Sequence, residues 1–130
     1  MIEQDKNNKI IFEKELSRII IKCAFEVFNR LGYGFLEKVY ENSLSFELKE
    51  NGIQAEQQFP IKVYYKNNLV GEYRADILVE RKIILELKAE KQLNNEHVPQ
   101  LLNYLKASHI KIGYLINFGA NGVEFKRFVF

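Results

Sequence analysis

The chain has a single cysteine, Cys23, in 130 residues, which excludes an internal disulfide and fits a reducing compartment. No run approaches the roughly 18 consecutive apolar residues of a membrane span, so no membrane partner is expected. The opening MIEQDKNNK is polar and lacks the apolar stretch of a secretory signal, so the expected location is the cytoplasm. Excess charge is also scarce. A balance of +2 and a sequence pI near 8.6 permit contact with nucleic acid without demanding it. Aspartate is rarer still: of 17 acidic residues only Asp5 and Asp76 are aspartate, and Asp5 lies in the polar amino-terminal tail of about residues 1–10. The length allows one domain, residues 1–130, with one core.

What is present is two kinds of hydrophobic period. Residues 12–31 repeat apolar side chains at helical spacing, from Leu16 through Ile19, Ile20, Cys23, Ala24, Val27 and Phe28 to Leu31, with Gly32 as a stop. Cys23 falls within that stripe and reads as core packing. A second helix is expected over 36–50, with Leu36, Val39, Tyr40, Ser43, Leu44 and Leu48 inward. The period then drops to two. Strands are expected over 53–65, interrupted or bent at Pro60, over 69–80 and over 83–89. A helix introduced by Asn94 or Asn95 runs to about Ala107, a strand covers 110–118, and Asn121-Gly122 turns into a last strand. The order α-α-β-β-β-α-β-β describes a single α/β (α+β) domain.

The stretch YRADILVERKIILELKAE, residues 73–90, is apolar enough to be buried, yet it keeps Asp76, Glu86 and Lys88. Buried charge is costly unless paired or metal-bound. Alternation puts Glu86 and Lys88 on one face with Ile84, and Ile83, Leu85 and Leu87 on the other. A two-residue loop would set Asp76 opposite Leu87. A three-residue loop or a bulge would set it opposite Glu86, and the lack of Asn-Gly or Asp-Gly favours this longer register. Two adjacent carboxylates then sit beside a lysine. Hard oxygen donors of this kind suit Mg²⁺ or Mn²⁺, and a lysine nearby can stabilise negative charge developing on a phosphoryl oxygen. The plain alternative is a wet sheet face on which Arg74 pairs with Asp76 and Lys88 with Glu86, and in which Asp76→Asn would be harmless.

Asp76 followed by Glu86-x-Lys88 across a hairpin resembles the signature of the PD-(D/E)xK nuclease superfamily. GFLEKVY, with Gly34, Glu37 and Tyr40, resembles the motif of its GxxExxY family. YRADILVERKIILELKAEKQLNNEHVPQLLNYL and LINFG are similar to that family too. The resemblance implies a restriction-endonuclease-like αβββαβ core, here with an extra N-terminal helix and a C-terminal strand. It implies a Mg²⁺- or Mn²⁺-dependent nuclease acting on the phosphodiester bonds of DNA or RNA. Asp76 and Glu86 would then bind metal with the carbonyl of Leu87, Lys88 would be the catalytic lysine, and Glu37 would help shape the site. Gln100 and Tyr104, four apart on one helix face, resemble a Gln-x-x-x-Tyr support motif that contacts nucleic acid.

Arg74, Lys62 and Lys91 are candidates to steer the phosphate backbone. His97 reads as a surface or supporting residue, and His109 as a connector. Pro99 is awkward if the third helix starts near Asn95 and comfortable if it starts near Val98. A homodimer would extend so small a binding surface. The rival reading keeps the nuclease fold as a catalytically silent module for binding nucleic acid or protein.

Overall fold

The computed structural model describes the backbone of residues 2–130 and the side chains of residues 13–130. Helices α1 (Ile2–Leu31) and α2 (Glu37–Glu50) are followed by strands β1 (Ala55–Tyr65), β2 (Asn68–Val79) and β3 (Ile83–Lys88). A 3₁₀ turn, Asn95–His97, leads into α3 (Val98–Ser108), then β4 (Ile112–Gly119) and β5 (Gly122–Val129). The α1 backbone is helical from Ile2, so residues 2–10 of the expected polar tail are part of that helix, and Met1 lies outside the described residues. The sheet runs β1-β2-β3-β4-β5, antiparallel except for β3 and β4, which are parallel. Parallel neighbours need a crossover, and α3 supplies it. This is the restriction-endonuclease-like α+β arrangement anticipated above, with one helix before it and one strand after.

Two apolar layers flank the sheet. On one face, Leu16, Ile20, Cys23, Ala24 and Val27 of α1 and Tyr40, Leu44 and Leu48 of α2 pack on Ile77, Val79, Ile83, Leu85 and Leu87. On the other, Leu101, Tyr104 and Leu105 of α3 cover Ile61, Ala75, Leu78, Ile84 and Leu115. Burial pushes the Cys23 thiol up to about 11, as expected of a cysteine that packs. The α2 stripe differs from the expected one. Leu36 is 81% exposed and Val39 sits at the surface, while Glu41 and Ser45 turn inward beside Tyr40 and Leu44. The helix is rotated because Glu41 has polar partners inside.

The odd-numbered residues of the β1–β2 ribbon change sides at one level. Ala55, Ile77 and Val79 lie under α1 and α2, whereas Phe59, Ile61 and Ala75 lie on α3. Gln58, at φ 53°, and Asp76 occupy that level, and a left-handed residue there breaks strict alternation. Pro60 is tolerated because β1 is an edge strand. Pro99 falls in the first turn of α3, the comfortable alternative, and Asn94 caps the preceding 3₁₀ turn by accepting the Glu96 N–H at 2.9 Å. The last hairpin turns on Ala120-Asn121, one residue earlier than Asn121-Gly122, since Gly122 already pairs with Gly119. Among the described residues no helix is long and apolar enough to cross a membrane.

Candidate active site

The site forms where the β2–β3 ladder stops. The pairs Val79 with Ile83, Leu78 with Ile84 and Ile77 with Leu85 leave a three-residue loop at 80–82. Glu80 and Arg81 take positive φ there, and the Lys82 N–H closes the turn on the Val79 carbonyl at 2.9 Å. The longer register is therefore the one adopted, and Asp76 meets Glu86. Side chains take over from the backbone at this point. Asp76 Oδ2 accepts the Leu87 N–H at 2.8 Å, and the Asp76 N–H donates to Glu86 Oε1 at 3.1 Å.

The crowding has an electrostatic consequence. Burial, reinforced by Asp76, pushes the Glu86 carboxyl up to about 8, with only partial relief from the Asp76 N–H and from Lys88. Asp76 is also raised, first by burial, against the lowering effect of its bond from Leu87. Glu37, the first residue of α2, is exposed at the mouth. Its carboxyl is raised by partial desolvation, offset by Lys88 and reinforced by Asp76, Glu41 and Glu90. Lys88 thus stands among three carboxylates. Among the described residues no ion pair joins Arg74 to Asp76 or Lys88 to Glu86, and Arg74 instead donates to the Gln58 carbonyl at 3.2 Å. Glu86 is moreover buried, so this face of the hairpin is not the wet, ion-paired one of the plain alternative.

Gln100 and Tyr104 do share a face, with Gln100 Nε2 donating to the Tyr104 hydroxyl at 2.6 Å. That hydroxyl is shifted upward by burial and then by Glu86, which places the pair on the carboxylate side of the sheet. His97 Nε2 lies 2.8 Å from Glu90 Oε1, so it braces the segment after β3. Asn117 anchors the same segment through both the N–H and the carbonyl of Glu90. His109 caps α3 in the left-handed conformation. Lys91 is exposed, and its carbonyl accepts the Ala120 N–H. Tyr40 of the GFLEKVY stretch is structural: it stacks on Phe118 at 4.5 Å and its hydroxyl donates to the Gly32 carbonyl.

Glu41 is the residue that sequence reasoning missed. It is buried, and its carboxylate accepts from Gln57 at 2.6 Å, Gln58 at 2.8 Å and Lys38 at 2.9 Å, while Gln58 reaches Asp76 Oδ1 at 3.4 Å. Two adjacent glutamines in an otherwise alternating strand, and a glutamate four residues after Glu37, were the available signals.

A family model described as the PD-(D/E)XK nuclease superfamily matches residues 14–128. The chain belongs to that superfamily. Among solved structures, the crystal structure of SSO0001 aligns with a TM-score of 0.57 at 19% identity, over 71% of this chain and 48% of that one. The present chain thus spans about half the length of that protein, and the likeness is one of fold. A search of curated proteins finds no match.

The donor set suits the divalent metal that such nucleases usually use. Asp76 and Glu86 offer hard oxygens in a partly desolvated, mutually repelling pair, which a dication would relieve. Among the described residues no three Asp, Glu, His or Cys side chains close a cage by themselves.

Proposed function

We propose that this chain is a metal-dependent nuclease of the GxxExxY type, hydrolysing phosphodiester bonds in nucleic acid. The observation that carries the reading is the meeting of Asp76 and Glu86 at the end of the ladder with Lys88 two residues further along β3, and with no ion pair to either acid among the described residues. Asp76, Glu86 and the Leu87 carbonyl would hold Mg²⁺ or Mn²⁺. A cation there supplies Lewis-acid charge and a more acidic water.

The chain's own groups do the rest. The Leu87 N–H fixes the Asp76 carboxylate, and the Asp76 N–H fixes that of Glu86, so neither acid has to reorganise. Lys88 would orient the attacking water and stabilise charge on the phosphoryl oxygens. Glu37 at the mouth can accept a hydrogen bond from water or help complete the metal's shell. Tyr104, held by Gln100, supports the wall behind Glu86. Arg74, exposed on β2, is available to the phosphate backbone.

A second reading, a nuclease fold kept for binding without turnover, draws on the lack of a closed acidic cage among the described residues. Calorimetric titration of Mn²⁺ and Mg²⁺ near neutral pH separates the two. The nuclease reading expects binding by the wild type that Asp76→Asn loses, and cleavage of mixed DNA and RNA that Lys88→Ala reduces by about 100-fold or more. Metal uptake indifferent to Asp76, or cleavage indifferent to Lys88, would sink it.

A further inference from the structure

A groove of about 510 Å³ runs between the far half of the β1–β2 ribbon and α3. Lys62, Tyr64 and Tyr73 line it from the ribbon, and Asn103, Lys106 and His109 from α3 and its cap. No carboxylate is among its lining residues, in a chain with nearly as many acids as bases. Glu72, the cross-strand neighbour of Lys62, does not line it. Among the described residues neither Lys62 nor Lys106 is in an ion pair.

The aromatic rings are placed by two local features. A register shift between Val63 and Tyr64 lets both neighbours line the groove, although strict alternation would send one away. Tyr73 pairs with Ile61 on the α3 side of the ribbon. Tyr64 is 59% and Tyr73 42% exposed, so both rings offer surface to a ligand. Tyr73 also lies 5.6 Å, ring to ring, from Tyr104, the residue behind Glu86. Tyr73 is thus the lining residue that links the groove to the α3 face on which Tyr104 packs with Ile84, two residues before Glu86.

We infer that this groove holds a single nucleic-acid strand, its unpaired bases on Tyr64 and Tyr73 and its phosphates on Lys62 and Lys106, and feeds it to Asp76, Glu86 and Lys88. The assignment rests on the nuclease reading above and gives its substrate class. Aromatic faces interleaved with unpaired lysines suit single strands because stacking needs bases free of a partner. In a duplex those faces are already covered, and only the lysines would contribute.

The test is fluorescence anisotropy without divalent metal, using labelled oligo-dT, labelled oligo-U and an oligo-dT·oligo-dA duplex. The wild type should bind a single strand more tightly than the duplex, and whichever of oligo-dT and oligo-U binds better names the natural strand. The double variant Lys62→Gln/Lys106→Gln should lose about tenfold in affinity, and its log K against log salt should flatten by about 1.4, the slope of two phosphate contacts on a single strand. Tyr73→Ala should lose about tenfold or more while Tyr73→Phe binds as wild type, since stacking uses the ring.

Equal affinity for duplex and single strand, or a double variant with wild-type affinity and salt slope, overturns the inference. Mn²⁺ calorimetry on the same samples keeps the two ideas apart. Metal uptake intact with the lysines irrelevant removes the groove and leaves the nuclease. Strand binding governed by the lysines, with no Asp76-dependent metal uptake, removes the nuclease and leaves the groove.

Discussion

The two ends of the β2–β3 hairpin are built from the same strands to opposite purposes. Near the loop, Ile77, Leu78 and Val79 face Ile83, Ile84 and Leu85, all buried, with regular pairing. One residue beyond Ile77 and Leu85 the regular pairing ends, and two carboxylates bond to backbone N–H groups in its place. One end gains from burial on both faces of the sheet. The other buries charge and raises its own acids' proton affinity. A stretch of strand that gives up ladder bonds for mutually repelling carboxylates is not optimised for stability, and such sites are where function is bought.

The largest test of that contrast is at the polar end. Lys88→Ala should reduce cleavage by about 100- to 1,000-fold, the usual effect of removing one group that stabilises transition-state charge. Thermal unfolding should barely move, because Lys88 is only half-buried and makes no ion pair among the described residues. The mirror experiment is Leu85→Ala. It should destabilise by about 3 kcal/mol through lost burial and a cavity, read as a fall in denaturant midpoint, with cleavage per folded molecule kept. If Leu85→Ala removed activity without loss of stability, the division between the two ends would be wrong.

A third variant should improve the fold while harming the site. In the metal-free protein Glu86 prefers its proton up to about pH 8, against an ordinary value of 4.5. A carboxyl raised by folding contributes stability below its unfolded value and loses it as pH climbs towards the folded one. The metal-free wild type should therefore lose melting temperature between about pH 5 and pH 8, and Glu86→Gln should flatten that decline. Excess Mn²⁺ should raise the melting temperature of the wild type at pH 8 and leave the variant unchanged. A parallel decline in both proteins would mean that Glu86 is not the group responsible.

Much of this was legible before any coordinates. The period change near residue 53 separated helices from strands, and the lack of Asn-Gly or Asp-Gly at residues 80–82 pointed to the loop that sets Asp76 beside Glu86. The hidden parts share a cause. Leu36 and Val39 match a helical stripe as well as Glu41 and Ser45 fail to, and an apolar period cannot register that a buried acid has two glutamine donors waiting on β1. Likewise Lys62 and Lys106 are 44 positions apart in sequence, and only the ribbon's change of side and the crossover bring them to one groove.

Glu41 therefore gives the subtlest prediction. Its carboxylate accepts from Gln57, Gln58 and Lys38, and Gln58 in turn reaches Asp76. Glu41→Gln keeps the size but turns one acceptor into a donor facing a donor. The mismatch should cost about 1 kcal/mol of stability, the scale of one hydrogen bond. Gln58 would lose its hold, and a supporting residue of this kind typically alters metal affinity by about tenfold. Calorimetry at a temperature where both proteins are folded measures that second effect directly. Weaker Mn²⁺ binding would tie the interior of α2 to the polar end of the hairpin. Unchanged binding with lower stability would assign Glu41 to the fold alone, and the functional end would begin at Asp76 rather than one layer deeper.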